Sequence, residues 1–128
     1  MDARPDVPQS WQSREVATPA GTTWLTVPDL VDLLGISQSR VRRLFDERIL
    51  LAVRVDGVLK VPSDFILDGE PLGDLRGTLM VLADAGFSDE EAMRWLLEDE
   101  VSLGTTPIDA LRNRRKAEVR RVAQALAF

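Results

Sequence analysis

The spacing of turn and cap signals between Thr26 and Pro62 constrains this chain more than any other feature. Thr26 stands before Pro28 and Asp29, so a helix can start there. It would have a capping hydroxyl, a proline in its first turn and an acid at the positive end of its dipole. Val27, Leu30, Val31 and Leu34 follow helical spacing as far as Gly35, which can take the positive φ that closes a last turn. Ser37 is a fresh N-cap, and the helix after it carries Val41, Leu44 and Phe45 on one side. Asp56-Gly57 then marks a two-residue hairpin turn between the β-rich stretches Leu50–Val55 and Val58–Val61. Pro62 ends the second stretch, because it has no N–H to give a ladder. Two short helices joined at a glycine make a helix-turn-helix, and a hairpin directly after them gives a winged helix.

The rest of the chain reads as helices. Leu72, Leu75, Leu79, Leu82 and Ala83 form an amphipathic period that Gly86 stops. Ser88 with Glu91 makes a capping box, and Phe87 stands where it can staple onto Ala92. Met93, Trp95, Leu96 and Leu97 follow, and Thr106-Pro107 opens a last helix expected to run from 107 to 126. The expected fold is mainly α: a winged helix-turn-helix with a two-stranded β-hairpin wing, then a C-terminal helical bundle. The expected divisions are a flexible, proline-containing arm over 1–22, the winged helix over 23–68 and the helical domain over 69–128. Some 40 residues of winged helix are marginal alone, so Trp95 and Leu111 are expected inside a core shared by both parts.

Composition excludes much chemistry. The 128 residues contain no Cys and no His, which removes disulfides, thiolate and imidazole metal sites, Ser-His triads and His acid–base pairs. No apolar run approaches the roughly 20 residues that cross a bilayer, and the acidic start lacks a signal peptide's basic region. The chain is therefore expected to be cytoplasmic and non-enzymatic, with no catalytic residue, no metal site and no cofactor.

The net charge of −5 disfavours a polyanion binder only until its distribution is examined. Residues 37–61 carry six basic residues against three acidic, 62–100 two against eleven, and 101–128 six against two. The first basic block coincides with the second helix of the motif. With Val41, Leu44 and Phe45 inward, Ser39, Arg42 and Arg43 point outward, and Gln38 and Arg40 flank them behind Ser37. The first turns of such a helix are those that meet base edges, and arginine can donate a bidentate pair to guanine while glutamine matches adenine. On the wing, Arg54 and Lys60 could reach phosphates. The candidate DNA-binding residues are thus Ser37, Gln38, Ser39, Arg40, Arg42, Arg43, Arg54 and Lys60, with double-stranded DNA as partner. Asp46 and Glu47 would repel phosphate, but at the end of the helix that leaves the groove.

The second basic block, Arg112 to Arg121, has two readings: another phosphate or partner surface, or a charged helix turned toward the acidic middle of the chain. The surplus acid favours the latter. Asp89-Glu90-Glu91 suits the positive end of a helix dipole, and nothing resembles a calcium loop or a phosphate cradle.

Trp24-Leu25-Thr26-Val27-Pro28-Asp29-Leu30, Leu33-Leu34-Gly35-Ile36-Ser37 and Val41-Arg42-Arg43-Leu44 resemble the start of MerR- and excisionase-like winged helices. With Ala52-Val53-Arg54, Val61-Pro62, Met93-Arg94-Trp95-Leu96, Thr106-Pro107-Ile108-Asp109-Ala110-Leu111 and the closing Ala-Phe, the region from Trp24 to Phe128 resembles a family of small actinobacterial DNA-binding regulators. That resemblance implies sequence-specific DNA binding and transcriptional regulation. The C-terminal block also resembles toxin-binding domains of some antitoxins. It implies the alternative, a protein-interaction module with its partner at the C-terminal domain and no direct DNA contact.

Overall fold

The structure, a computed structural model, describes residues 21–126. The arm expected over 1–22 lies outside them up to residue 20, as does the closing Ala-Phe. Strand β1 (Trp24–Thr26) leads directly into α1 (Val27–Leu34). The predicted cap forms in both directions: Asp29 N donates to Thr26 Oγ1 at 3.3 Å, and Thr26 N donates to Asp29 Oδ2 at 2.9 Å. Gly35 takes φ 68°, the left-handed conformation a residue with a Cβ resists, and its N–H closes on Val31 O. Helix α2 (Gln38–Asp46) follows, with Ser37 Oγ accepting from Arg40 N at 3.2 Å.

Strands β2 (Val53–Val55) and β3 (Val58–Pro62) form the wing hairpin, turning through Asp56 and Gly57 at φ 54° and 81°. The wing hairpin is two-stranded, as expected, and β1 adds a third strand that sequence reading did not anticipate, giving an antiparallel sheet in the order β1-β3-β2. Trp24 pairs with Pro62 and Val53 with Lys60. Three residues of β1 are too few to print a period-two signal. The first wing strand is also shorter than predicted, because Leu50 and Leu51 are both buried. Two consecutive buried side chains do not fit the alternation of a strand that faces solvent on one side.

A 3-10 turn (Ser63–Phe65) and a small hairpin, β4 (Ile66–Leu67) with β5 (Glu70–Pro71), link to the C-terminal helices. This hairpin turns at Asp68-Gly69, the same dipeptide that marks the wing. Then come α3 (Leu75–Asp84), α4 (Asp89–Leu97), α5 (Pro107–Arg112) and α6 (Lys116–Gln124). The single last helix expected over 107–126 is thus two. Arg114 sits at φ 64° and Arg115 N returns to Ala110 O at 2.9 Å, which stops α5.

One hydrophobic core runs through the whole described molecule. It joins Leu30, Val41, Leu50, Val61 and Phe65 to Leu75, Leu79, Met93, Leu96, Leu111 and Val119. Helix α4 touches β2, and α5 touches the 3-10 turn. Leu111 is buried as expected. Trp95 is not: it is half-buried, and its indole N–H donates to Glu100 Oε1 at 3.3 Å on the surface loop. A large side chain with a polar N–H stays where that N–H keeps a partner.

Candidate nucleic-acid interface

Helix α2 has one side in the core and one in water. Val41 is fully buried and Leu44 and Phe45 half-buried, whereas Ser37, Gln38, Ser39, Arg40, Arg42 and Arg43 are all exposed. The Ser37 hydroxyl is committed to the cap and lies 3.2 Å from Ser39 Oγ. Among the described residues, Arg40, Arg42 and Arg43 have no ion pair and no side-chain hydrogen bond. Three guanidinium groups on under two turns therefore face solvent with no carboxylate of the described residues to neutralise them.

The wing extends this surface. A groove of about 370 Å³ runs between the starts of α1 and α2 and the wing. Gln38, Arg42 and Arg54 line it together with Thr26, Pro28 and Val58. Arg54 is exposed and donates from Nη1 to Gly57 O at 3.2 Å, which bends its guanidinium toward the turn. Lys60 stands apart: it is half-buried and does not line the groove. Its charge instead acts on Asp29, whose carboxyl is held below its ordinary value first by the Thr26 N–H, then by the Thr26 hydroxyl, and with help from Lys60. The structure thus brings Gln38, Arg42 and Arg54 together, adds Thr26, Pro28 and Val58, and leaves Lys60 outside. Val58, 46% exposed on the wing, carried no polar signal that would have singled it out.

The far end of α2 differs. Asp46 and Glu47 are exposed. Arg48, counted in the first basic block, is turned inward: its Nη1 meets Asp89 Oδ1 at 2.7 Å. Arg76 Nε donates to Glu47 O at 3.0 Å. Both contacts join residues far apart in sequence, and no local pattern announces them.

The second basic block mostly serves the protein itself. Arg112 donates to the carbonyls of Asp64 and Ile66 at 2.9 and 2.7 Å. Arg115 pairs with Glu118 and donates to Leu103 O, and Lys116 lies 3.6 Å from Asp74. The acids it meets are therefore Asp74 and Glu118 rather than the 89–91 or 98–100 triplets. Asp89 goes to Arg48, and Glu91 caps its own helix by accepting from Ser88 N at 2.8 Å. Among the described residues, Arg114, Arg120 and Arg121 of this block make no such contact; Arg114 and Arg121 are exposed, whereas Arg120 is half-buried against Gly77.

Among the described residues, no group of three or more acidic, His or Cys side chains could hold a metal ion. No described helix is long and apolar enough to cross a membrane.

Two family descriptions match the chain. Residues 13–66 match the wHTH domain of DNA-binding protein Rv2175c, and residues 72–127 match the Rv2175c C-terminal domain of unknown function. A relative named DNA-binding protein Rv2175c, from Mycobacterium tuberculosis, is 34% identical over 141 aligned positions, covering 94% of this chain and 97% of the relative. The NMR structure of Rv2175c superposes with a TM-score of 0.78 at 30% identity, over 98% of this chain and 99% of that one. With that identity over nearly its whole length and both halves matched in order, the chain belongs to the Rv2175c family.

Proposed function

We propose that this protein binds double-stranded DNA by laying the first turns of α2 in the major groove, with Arg54 of the wing on the neighbouring backbone, and that it regulates transcription. The observation that carries the reading is the row of exposed arginines, Arg40, Arg42 and Arg43, without a partner among the described residues, on a capped helix beside a wing. Arginine there can donate a forked pair to guanine O6 and N7, and Gln38 can match adenine. Ser39, beside them, can bond phosphate or a base edge. Family membership supports the same reading, since the matched relative is named a DNA-binding protein. The net charge of −5 makes tight non-specific binding unfavourable, so base contacts must supply more of the affinity than in a basic regulator. We place the protein in the cytoplasm, on the nucleoid when DNA-bound, and assign it no catalysis.

The test is selection of duplexes from a random-sequence pool, followed by fluorescence anisotropy at several salt concentrations. Enrichment of one sequence and a steep fall in affinity with salt are expected, about −0.9 in the log–log slope per phosphate engaged. No enrichment, with binding of a protein partner that ignores salt, would replace this reading by the protein-interaction one.

A further inference from the structure

Helix α2 ends where the C-terminal helices take hold of it. Its last turn closes through Glu47 N to Arg43 O at 2.9 Å, and Ile49 N and Leu50 N both return to Leu44 O. Between them Arg48 adopts φ 63°, a conformation uncommon for a residue with a long side chain. This sharp exit aims two groups at the C-terminal half. The Glu47 carbonyl accepts from Arg76 on α3, and Arg48 pairs with Asp89, the first residue of α4. Both helices are rooted in the common core, α3 by Leu75 and Leu79, α4 by Met93 and Leu96. The end of α2 is therefore fixed at two points by two different helices.

Neither contact is placed to stabilise the fold much. The Arg48 and Asp89 side chains are 33% and 46% exposed, and ion pairs in such positions contribute little. They are well placed to set a direction. Nine residues of α2 span about 13 Å, so a tilt of about 10° at this end displaces the other by about 2 Å. Hydrogen bonds to base edges do not survive such a shift.

We infer that Arg76 and the Arg48–Asp89 pair are positioning residues that set the angle at which α2 meets DNA, which assigns a task to the C-terminal helices. The inference rests on the reading of α2 as the DNA-contacting helix. A positioning residue has a particular signature. Its loss weakens the preferred sequence but removes no phosphate contact, so the salt dependence stays as it was.

The experiment uses the full chain and a short duplex that the wild-type protein selects from a random pool, with an unselected duplex as reference. Arg76→Ala and Asp89→Asn should each bind the selected duplex about tenfold more weakly, the worth of one well-placed base contact. Affinity for the unselected duplex, the salt slope and the melting temperature should not move. The exchange Arg48→Asp with Asp89→Arg should restore binding, because aspartate tolerates the left-handed backbone at 48. If Arg76→Ala melts early, the isosteric Asp89→Asn carries the test. A salt slope reduced by about 0.9 would make Arg76 a phosphate contact and overturn the inference. So would unchanged affinity in both variants while Arg42→Ala and Arg43→Ala bind poorly. If those two also bind normally, the reading of α2 itself fails and takes the inference with it.

Discussion

Arg40, Arg42 and Arg43 on α2 and Arg112, Arg115, Lys116 and Arg120 near the C-terminus have similar chemistry and spacing, yet the fold uses them in opposite ways. On α2 the guanidinium groups find no carboxylate or carbonyl among the described residues. Near the C-terminus, Arg112 caps two carbonyls, Arg115 and Lys116 meet Glu118 and Asp74, and Arg120 lies against Gly77. A basic run becomes a surface for a polyanion only where the protein leaves it unneutralised, and that depends on neighbours that charge counting cannot see. The distribution of charge also explains how a chain with net charge −5 can present a cationic face: eleven of its acids lie in residues 62–100.

The largest expected effect tests the exposed member of the pair. Replacing both Arg42 and Arg43 by Ala should weaken binding to the selected duplex by about 1–3 kcal/mol for each arginine that reads a base. The melting temperature should stay within about 4 °C of wild type, because exposed changes of this kind rarely alter stability by more than about 0.5 kcal/mol each. Anisotropy and thermal melts check both halves; normal binding by the double variant would collapse the comparison. Arg112→Ala should do the reverse. Two carbonyls lose a charged donor, so stability should fall by about 1–2 kcal/mol in urea unfolding, with DNA affinity retained.

The same contrast shows where sequence was informative. Caps and turns were legible because their chemistry is local: Thr26 with Asp29, Gly35, Ser37, Ser88 with Glu91, and Asp56-Gly57 all do what their residue types predict. The buried and exposed sides of α2 were legible for the same reason, through period. The break between α5 and α6 was not. Ile108, Leu111, Val119 and Val122 keep one helical phase across it, so periodicity cannot register a stop at Arg114. Strand β1 was missed because it exists only through its pairing with β3. The inward turn of Arg48 and the hold of Arg76 on Glu47 are tertiary facts without a local signature.

A smaller effect sharpens the internal side of the comparison. A Cβ at Gly77 would collide with the Arg120 guanidinium, so this glycine in α3 is where the side chain crosses between α3 and α6. Arg120 Nε is buried there with no hydrogen-bond partner among the described residues. Gly77→Ala should gain up to about 1 kcal/mol of helix propensity but must displace Arg120. In an Arg120→Ala background that gain should appear in full, and in the wild-type background less of it. A double-mutant cycle by urea unfolding measures the difference. Additive effects would show that the two residues do not constrain each other.

The smallest expected effect is set by acid. Glu91 is held below its ordinary value of 4.5 first by the Ser88 N–H and then by the Ser88 hydroxyl, and Glu118 first by its bond to Arg115. Asp29 in the binding half is held down by Thr26 in the same manner. A carboxyl whose folded-state pKa is depressed contributes stability that is complete above its unfolded value and is lost as pH falls through the folded one. The melting temperature should therefore fall between about pH 5 and pH 3, and it should fall less steeply in Glu91→Gln, which keeps the capping geometry without the titrating group. Because both halves share one core, DNA binding and helicity should disappear together in that range. Binding lost at a higher pH than circular dichroism would mean that acid acts on the interface before the fold, and that the charges of α2 are less independent of the internal network than their lack of partners implies.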